Sequence, residues 1–284
     1  MRINLVEILE HFPVRKRDSH KGSYGKIINF AGSKYYTGAA FLSSISALKT
    51  GAGYVTLACP DSIVPIISSY SPDITLFPLK SSNGCIDSSS TDIAIEKAEE
   101  YDVISIGSGL STEEGSQRFV LNFIEKITKP VIIDADGLNA IANNNFYKFP
   151  SQAIITPHPK ELSRLLNISV AEIQSDRVNY AVKTAQKFSC IIVLKGMNTI
   201  VTDGNKVYIN DSGNSALSKA GSGDVLTGII SGFAAQKCDL FMAASLGVYI
   251  HGLAADIAIE DTTEYGLLAS ELVDYIPKAI KKVI

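Results

Sequence analysis

Residues 220–228, AGSGDVLTG, combine residue types that could transfer a phosphoryl group. Two glycines flank Ser222, Asp224 follows, and an apolar run then continues with helical spacing. Backbone N–H groups at the start of a helix attract anions, and glycine lets a phosphate approach them closely. A carboxylate beside such a site could accept the proton of a hydroxyl that attacks phosphorus. Ser and Asp are also ordinary helix caps, so the stretch alone fits a loop that enters a helix equally well.

The phosphate-site hypothesis assigns a part to each residue of this stretch. The amides of Gly221, Ser222 and Gly223 are predicted to form an anion hole, and Asp224 is the predicted catalytic base. The stretch lacks the Gly-Lys-Ser/Thr of a Walker A loop, and GSGL at residues 107–110 lacks the third glycine of a dinucleotide fingerprint. Because a helix N-terminus stabilises a carboxylate as the anion, we expect Asp224 to act through its position and not through a raised pKa.

Apolar runs of strand length alternate with helix-period segments and predict the scaffold for this site. The strand-like segments are KIINFAG, YVTLACP, YDVISIGSG, PVIIDADG, QAIITPHP, SCIIVLKG and the pair within TIVTDGNKVYIN. We predict a three-layer αβα fold with a doubly wound, mostly parallel central sheet that carries helices on both faces. Ligands bind beyond the carboxyl ends of the strands in such sheets, so Asp134 and Asp136 are expected on the floor of the site.

Composition and charge limit the class of protein. The chain has 284 residues, of which 46% are hydrophobic and 19% charged, and we predict one large domain over residues 1–284. A net charge of −3 gives no bulk attraction for nucleic acid or an anionic membrane, so any phosphate site must be local. The four cysteines lie far apart and form no Cys-x-x-Cys pair, which argues against a zinc or redox site.

Three further segments predict the location of the protein, a surface loop and a terminal helix. The N-terminus has no signal-peptide pattern, and the apolar residues 242–259 are interrupted by His251 and Asp256, so a cytoplasmic location is predicted. Residues 81–91, SSNGCIDSSST, are predicted to form a surface loop. The tail ELVDYIPKAIKKVI is predicted to be an amphipathic terminal helix.

Five motifs in order along the chain resemble the ADP-dependent NAD(P)H-hydrate dehydratases, a branch of the ribokinase-like superfamily. They are HKGSYGKIINFAGSKYYTGAAFLSSISALKTGAGYVTL, VIIDADGLNAI, ITPHPKEL, VLKGMNTIV and GNSALSKAGSGDVLTGIISG, and they run from His20 to Gly232. The resemblance implies a ribokinase-like fold and a lyase of metabolite repair. Its substrate would be hydrated NADH or NADPH, and ADP (or ATP) with Mg²⁺ would assist.

The resemblance also implies roles for individual residues. The hydrated NAD(P)H would be bound by Ala40, Gly109, His158 and Asp224, and the ADP or AMP by Lys195, Gly196, Met197, Asn198, Thr199 and Gly223. The glycines would hold the transferred phosphate, and Asp224 would be the base. Glu161 would organise Mg²⁺ through water, or it simply opens the next helix.

The chain also departs from the family pattern. Where the family often shows Asn-Pro-Gly-Met-Ala, this chain has NSALS at residues 214–218, which changes the stiffness of that loop. It begins close to the dehydratase motifs, so a separate epimerase is expected to act in the same pathway, and the family tendency predicts a homotetramer. Two alternatives stay open: an ATP-dependent ribokinase-like kinase of a small alcohol such as a vitamin precursor, and a nucleotide-binding protein without catalysis.

Overall fold

Nine strands form one central sheet in the computed structural model, which describes residues 1–284. The strand order is β11-β10-β9-β8-β7-β6-β1-β2-β3, and a separate two-stranded sheet contains β4 and β5. The strands are β1 Lys26–Phe30, β2 Tyr54–Pro60, β3 Thr75–Leu79, β4 Ser81–Ser82, β5 Cys85–Ile86, β6 Val103–Ile106, β7 Val131–Ile133, β8 Ala153–Ile155, β9 Ile191–Leu194, β10 Ile200–Thr202 and β11 Val207–Ile209.

Twelve α-helices surround the strands. They are α1 Leu5–Leu9, α2 Thr37–Thr50, α3 Val64–Tyr70, α4 Thr91–Ala98, α5 Glu114–Ile124, α6 Asp136–Asn143, α7 Pro159–Leu166, α8 Val170–Ser175, α9 Arg177–Phe188, α10 Ser222–Ala235, α11 Leu240–Asp261 and α12 Ala269–Val283. Short 3₁₀ helices cover Lys21–Tyr24, Asp61–Ile63, Ser88–Ser90 and Ser215–Leu217. The predicted terminal helix is confirmed as α12.

The sheet separates two apolar cores, so both of its faces are buried. Successive side chains of a strand point to opposite faces. Ile27 of β1 accordingly packs in the core that contains α2, α10 and α11, whereas Ile28 packs in the core that contains α5 and α6. The three-layer αβα arrangement predicted from the alternating pattern is confirmed.

The seven strands from β9 to β3 in the sheet order pair in parallel, whereas β10 runs antiparallel to both β9 and β11. The predicted turn between the last two strands lies between Thr202 and Val207. The sheet is therefore mostly parallel, as predicted. Its antiparallel end makes residues 195–199, KGMNT, the connection of a hairpin between β9 and β10.

Two elements between residues 75 and 91 were not predicted from the sequence. The edge strand β3 was not predicted, because Pro78 lies inside it, and proline is tolerated only at the edge of a sheet. The predicted surface loop contains the β4–β5 hairpin, whose turn residues Asn83 and Gly84 have φ values of 52° and 73°. These are the positive values that an Asn-Gly turn of type I′ requires.

Helix α11 has the length and apolar composition of a membrane span. However, 72% of its most apolar 18-residue window is buried inside the protein, where it packs against α10 and α12. Residues 242–259, which His251 and Asp256 interrupt, therefore lie in a helix of the protein core.

Helices α2 and α10 pack closely because Gly228 leaves room for a backbone. A Cβ at Gly228 would lie 2.3 Å from the Ser43 carbonyl oxygen and 2.7 Å from the Ser46 Cβ. We expect Gly228→Ala to lower the free energy of unfolding by about 1–3 kcal/mol, since the helices would have to separate. Urea titration measures this change. Gly38→Ala in α2 is the control, because nothing lies within 4 Å of the added methyl group; equal stability of the two variants would contradict the prediction.

The first residues of the chain join its last strand. Met1 accepts a hydrogen bond from the Val207 amide at 2.8 Å, and the Ile3 amide donates to the Val207 carbonyl at 2.9 Å. The terminal ammonium donates to the Asn205 carbonyl at 2.5 Å. The free edge of β11 is thereby covered.

Candidate active site

A cavity of about 780 Å³ opens beyond the carboxyl ends of β7, β8 and β9 and beside the start of α10. Its walls come from the strand ends, from the β9–β10 connection, from residues 210–221 and from α10 and α11. Most of the residues predicted for the site line it: His158, Glu161, Lys195, Gly196, Met197, Asn198, Thr199, Gly221, Ser222, Gly223 and Asp224, together with Asp134.

A buried ion pair forms the floor of this cavity. Asp134 follows β7, and its Oδ1 lies 2.7 Å from Lys195 Nζ and accepts a hydrogen bond from Thr156 at 2.6 Å. Its Oδ2 accepts from Thr227 of α10 at 2.9 Å. Burial alone would raise the pKa of Asp134, but the Lys195 ammonium and these hydrogen bonds outweigh it and lower that pKa. Asp134 is thus held as the carboxylate.

The same lysine places a positive charge at the start of α10. A Cβ on Gly223 would lie 3.6 Å from Lys195 Nζ. Burial would lower the pKa of Lys195, but Asp134 and then Glu161, whose Oε2 lies 3.8 Å away, raise it. The lysine therefore stays charged beside the helix N-terminus, where an anion is favoured.

Three backbone amides at this end of α10 have no acceptor in the chain: those of Gly221, Gly223 and Asp224. The prediction for Ser222 is wrong in one respect, because its amide donates to the Lys219 carbonyl at 3.3 Å and closes the turn. Its hydroxyl lies 3.2 Å from Nε2 of His251, a buried side chain of α11. The free amides thus belong to the glycines and to Asp224.

Asp224 differs from a normal helix-cap carboxylate. Burial raises the pKa of Asp224 to about 6, and the nearby Asp134 carboxylate adds to this shift. The expectation of an unraised pKa is wrong, because desolvation outweighs the Ser108 hydroxyl and the attraction to Lys195, both of which lower the pKa of Asp224. A carboxyl group with a pKa near neutrality is better matched to proton transfer than an ordinary aspartate.

His158 and Glu161 form a capping box at the start of α7. The Glu161 amide donates to His158 Nδ1 at 3.0 Å, and the His158 amide donates to Glu161 Oε2 at 2.8 Å. Burial raises the pKa of Glu161 to about 7, and burial lowers the pKa of His158. Glu161 therefore does open the next helix, and its carboxylate also faces the cavity.

Ala40 and Gly109 lie outside the walls of this cavity. Gly109 packs against the residue before Ala40, since a Cβ on Gly109 would lie 2.8 Å from the Ala39 Cβ. The neighbouring Ser108 is buried, and its hydroxyl lies close enough to Asp224 to lower the pKa of that carboxyl. Asp224 thus stands between the cavity and the region of Ala40 and Gly109.

The family model described as NAD(P)H-hydrate dehydratase matches residues 27–278, which include every one of these side chains. The chain belongs to this family.

Two curated relatives show how the dehydratase family is organised. The ADP-dependent (S)-NAD(P)H-hydrate dehydratase of Bacillus subtilis is 35% identical over 95% of this chain and 94% of its own length. The bifunctional NAD(P)H-hydrate repair enzyme Nnr of Thermofilum pendens is 39% identical over 95% of this chain, but over 52% of its own length. The chain therefore spans about half the length of such bifunctional relatives.

A solved structure of the dehydratase family has the same fold. The ADP/ATP-dependent NAD(P)H-hydrate dehydratase from Bacillus subtilis, co-crystallised with ATP/Mg²⁺, superimposes with a TM-score of 0.83 at 32% identity. The match covers 98% of this chain and 97% of that one. Structures similar to this chain also include proteins of the ribokinase-like superfamily, so the predicted fold class is confirmed.

The loop that departs from the dehydratase pattern is stiffened by hydrogen bonds. Asp256 of α11 accepts from the Gly213 amide at 2.8 Å and from the Asn214 side chain at 2.9 Å. Asn214 in turn accepts from the Ala216 amide at 3.0 Å. Polar contacts thus hold this cavity wall where the family often has Pro and Gly.

The donor set argues against a metal ion bound by protein side chains alone. No group of three His, Cys, Asp or Glu side chains is placed to hold one. Among the carboxylates that line the cavity, Asp134 is paired with Lys195 and Asp224 is the predicted base, whereas Glu161 faces the cavity from α7. A Mg²⁺ that arrives on nucleotide phosphates and keeps most of its water needs only one or two protein carboxylates.

The side chains that hold the site residues and the surrounding loops in place were not predicted from the sequence. Thr227 lies three residues beyond Asp224 on α10, and Thr156 follows β8; both bind Asp134. A strand-parity argument could have found Thr156, because it shares a sheet face with Asp134 and Lys195. Arg177 and Asp256 carry no local motif, since each acts on a loop distant in sequence.

The raised pKa of Asp224 predicts an acid limb in the pH profile of any reaction in which this carboxylate is the base. Asp134, Asp136 and Lys195 are the charged groups that face this carboxyl. Because a base must be unprotonated, kcat/KM should fall about tenfold per pH unit below about pH 6. Initial rates across this pH range measure it. A profile that stays flat down to about pH 4.5 would contradict the prediction.

Proposed function

We propose that the protein catalyses ADP-dependent dehydration of the S-epimer of hydrated NADH or NADPH. The observation that carries the proposal is the position of the Asp224 carboxyl, with a pKa of about 6, beside free amides and the Lys195 ammonium. These groups are suited to bind a phosphoryl group and an attacking hydroxyl in contact with one another. Family membership and the name of the Bacillus subtilis relative support this substrate and co-substrate.

The proposed chemistry has two steps. The hydroxyl on the hydrated ring attacks the β-phosphorus of ADP, the bond to AMP breaks, and Asp224 takes the hydroxyl proton. The lone pair of the ring nitrogen then expels phosphate, and loss of a proton from the neighbouring carbon restores the double bond. The products are NAD(P)H, AMP and phosphate.

Each wall of the cavity has a part in this proposal. The loop of residues 195–199, which we call the nucleotide loop, would bind the adenine nucleotide with Gly223. Free amides of Gly221, Gly223 and Asp224 would stabilise the transferred phosphate. His158, Ala40 and Gly109 would bind the hydrated cofactor. Glu161 would hold Mg²⁺ through water, and the ion would offset phosphate charge.

One assay tests the activity and separates it from that of a small-alcohol kinase. The protein is incubated with S-configured hydrated NADH and either ADP or ATP, and the near-ultraviolet absorbance of reduced nicotinamide is followed. We expect the absorbance to recover with ADP while AMP and phosphate form in equal amounts. Absence of recovery with both nucleotides would overturn the proposal; recovery with ATP alone would overturn its ADP dependence.

Larger-scale expectations stay predictions. They are a single domain over residues 1–284, a homotetramer, a cytoplasmic location and a separate epimerase that converts the other hydrate epimer. Light scattering coupled to size-exclusion chromatography tests the predicted homotetramer directly, since a tetramer of 30.5 kDa chains is readily distinguished from a monomer.

A further inference from the structure

Arg177, the first residue of α9, contacts the nucleotide loop from outside the cavity. Its guanidinium donates to the carbonyl oxygens of Leu194 at 3.1 Å and Lys195 at 3.2 Å, and also to that of Met197. No salt bridge pairs it with a carboxylate. Its hydrogen-bond acceptors are therefore backbone carbonyls at the end of β9 and in the loop.

Such an arrangement is costly for an arginine. The side chain is half-buried, its Nε is buried without an acceptor, and burial lowers the pKa of Arg177. A charge removed from water is normally compensated by an opposite charge. Here the fork of the guanidinium instead meets three backbone carbonyl oxygens.

The loop itself needs such support. Gly196 and Asn198 have φ values of 138° and 54°, so both depart from ordinary strand backbone. A Cβ on Gly196 would lie 3.0 Å from Arg177 Nη2, which shows how closely the two are packed. The only other bond within the loop joins the Thr199 hydroxyl to the Gly196 carbonyl at 2.8 Å.

Peptide geometry connects these carbonyls to the cavity. In a trans peptide the C=O of one residue and the N–H of the next point in opposite directions. The Leu194 carbonyl meets Arg177, and the Lys195 amide accordingly donates the other way, to Pro157 at 2.9 Å. By the same rule, fixing the Lys195 and Met197 carbonyls on Arg177 turns the amides of Gly196 and Asn198 away from it. Those two amides have no acceptor in the chain, and both residues line the cavity.

We propose that Arg177 is a positioning residue that aims the amides of Gly196 and Asn198 at the phosphates of the adenine nucleotide. The inference rests on the proposed function for the identity of the ligand. It assigns Arg177 to nucleotide affinity and not to the chemical step, because the guanidinium reaches only the far side of the loop. The forked geometry of the guanidinium, and not its charge alone, is what holds the carbonyls of the nucleotide loop.

The test compares Arg177→Met and Arg177→Lys with Lys183→Met, a control at an exposed position of the same helix. Isothermal titration calorimetry with ADP should show affinity reduced about tenfold or more in both Arg177 variants, since charge-assisted hydrogen bonds are lost. KM for ADP should rise in parallel. The KM for hydrated NADH and kcat at saturating ADP should stay within about twofold of the wild type.

A second measurement reports on the loop without nucleotide. Hydrogen exchange of the Lys195 amide, which donates to Pro157, should be about tenfold faster in Arg177→Met than in Lys183→Met, while the Val193 amide of β9 is unchanged. Wild-type ADP affinity in Arg177→Lys, or a lowered kcat with unchanged ADP affinity, would overturn the inference. If the wild type does not bind ADP, the proposed function fails, and unchanged exchange at Lys195 would then overturn the positioning role separately.

Discussion

Asp224→Asn should lose at least about 10²-fold in kcat and still bind ADP, because the amide has the shape of the acid but cannot accept the hydroxyl proton. The surrounding amides of the α10 N-terminus and the Lys195 ammonium remain in place. Rates from the absorbance assay and ADP affinity from calorimetry measure the two properties separately. Asp92→Asn on the exposed face of α4 makes the same change of charge and should leave both unaltered. A rate near that of the wild type would remove Asp224 as the base.

The same substitution should make the protein more stable. The pKa of Asp224 is raised from 3.8 to about 6, so between these values the folded protein binds more protons than the unfolded chain, and stability falls as pH rises through that window. At neutral pH the buried charge is therefore a cost, which Asn removes. Two pKa units correspond to about 3 kcal/mol, and partial exposure to the cavity reduces this to roughly 1–2 kcal/mol. A loss of stability in Asp224→Asn would mean that the carboxylate is needed for folding.

Lys195→Met should cost both stability and nucleotide binding. Asp134 is 1% exposed, and without the lysine its carboxylate keeps only the hydroxyls of Thr156 and Thr227. Breaking one side of a buried ion pair typically costs about 3–5 kcal/mol, which would lower Tm by roughly 10 °C in a protein of this size. ADP affinity should fall at least about tenfold, since a cation beside the phosphate site is lost. Calorimetric melting and ADP titration measure the two effects.

A double variant separates these two effects. Lys195→Met combined with Asp134→Asn removes the unpaired charge and keeps an acceptor and a donor for the two threonines. We expect it to regain most of the lost stability but none of the ADP affinity. If stability does not return, the ion pair is not what the lysine contributes to the fold; if ADP affinity returns, the lysine does not hold phosphate.

Most of the scaffold could be predicted because both faces of the sheet are buried. Strands such as Ile191–Leu194 and Val131–Ile133 are continuous apolar runs that end in Gly or Asp, and their order along the chain predicts parallel pairing. The strand Thr75–Leu79 was not predicted, because Pro78 argues against a strand. Proline is tolerated here only because the strand lies at the edge of the sheet, and that position is known only from the assembled sheet. The Asn83-Gly84 turn carried a local signal, which the serine-rich composition around it obscured.

The candidate site was predictable where strand ends carry its residues, and less so where helices complete it. Lys195 could be assigned to a phosphate site, but its partner Asp134 could be found only once β7 and β9 were known to flank β8. The pKa of Asp224 was misjudged because it depends on burial, which a cap motif does not report. Arg177 lies 17 to 20 residues before the carbonyls it holds, too far for any local pattern.

The bonds between Met1 and residues 205–207 set an order of events during synthesis. Met1 leaves the ribosome 204 residues before Asn205, whose carbonyl it binds, a delay of roughly 10–40 s at ordinary translation rates. During that interval residues 1–3 have no strand to pair with, whereas β1 and β2 can already pair with one another. Residues 1–3 therefore reach their place only after the β10–β11 hairpin has emerged, later than the pairing of β1 with β2 becomes possible.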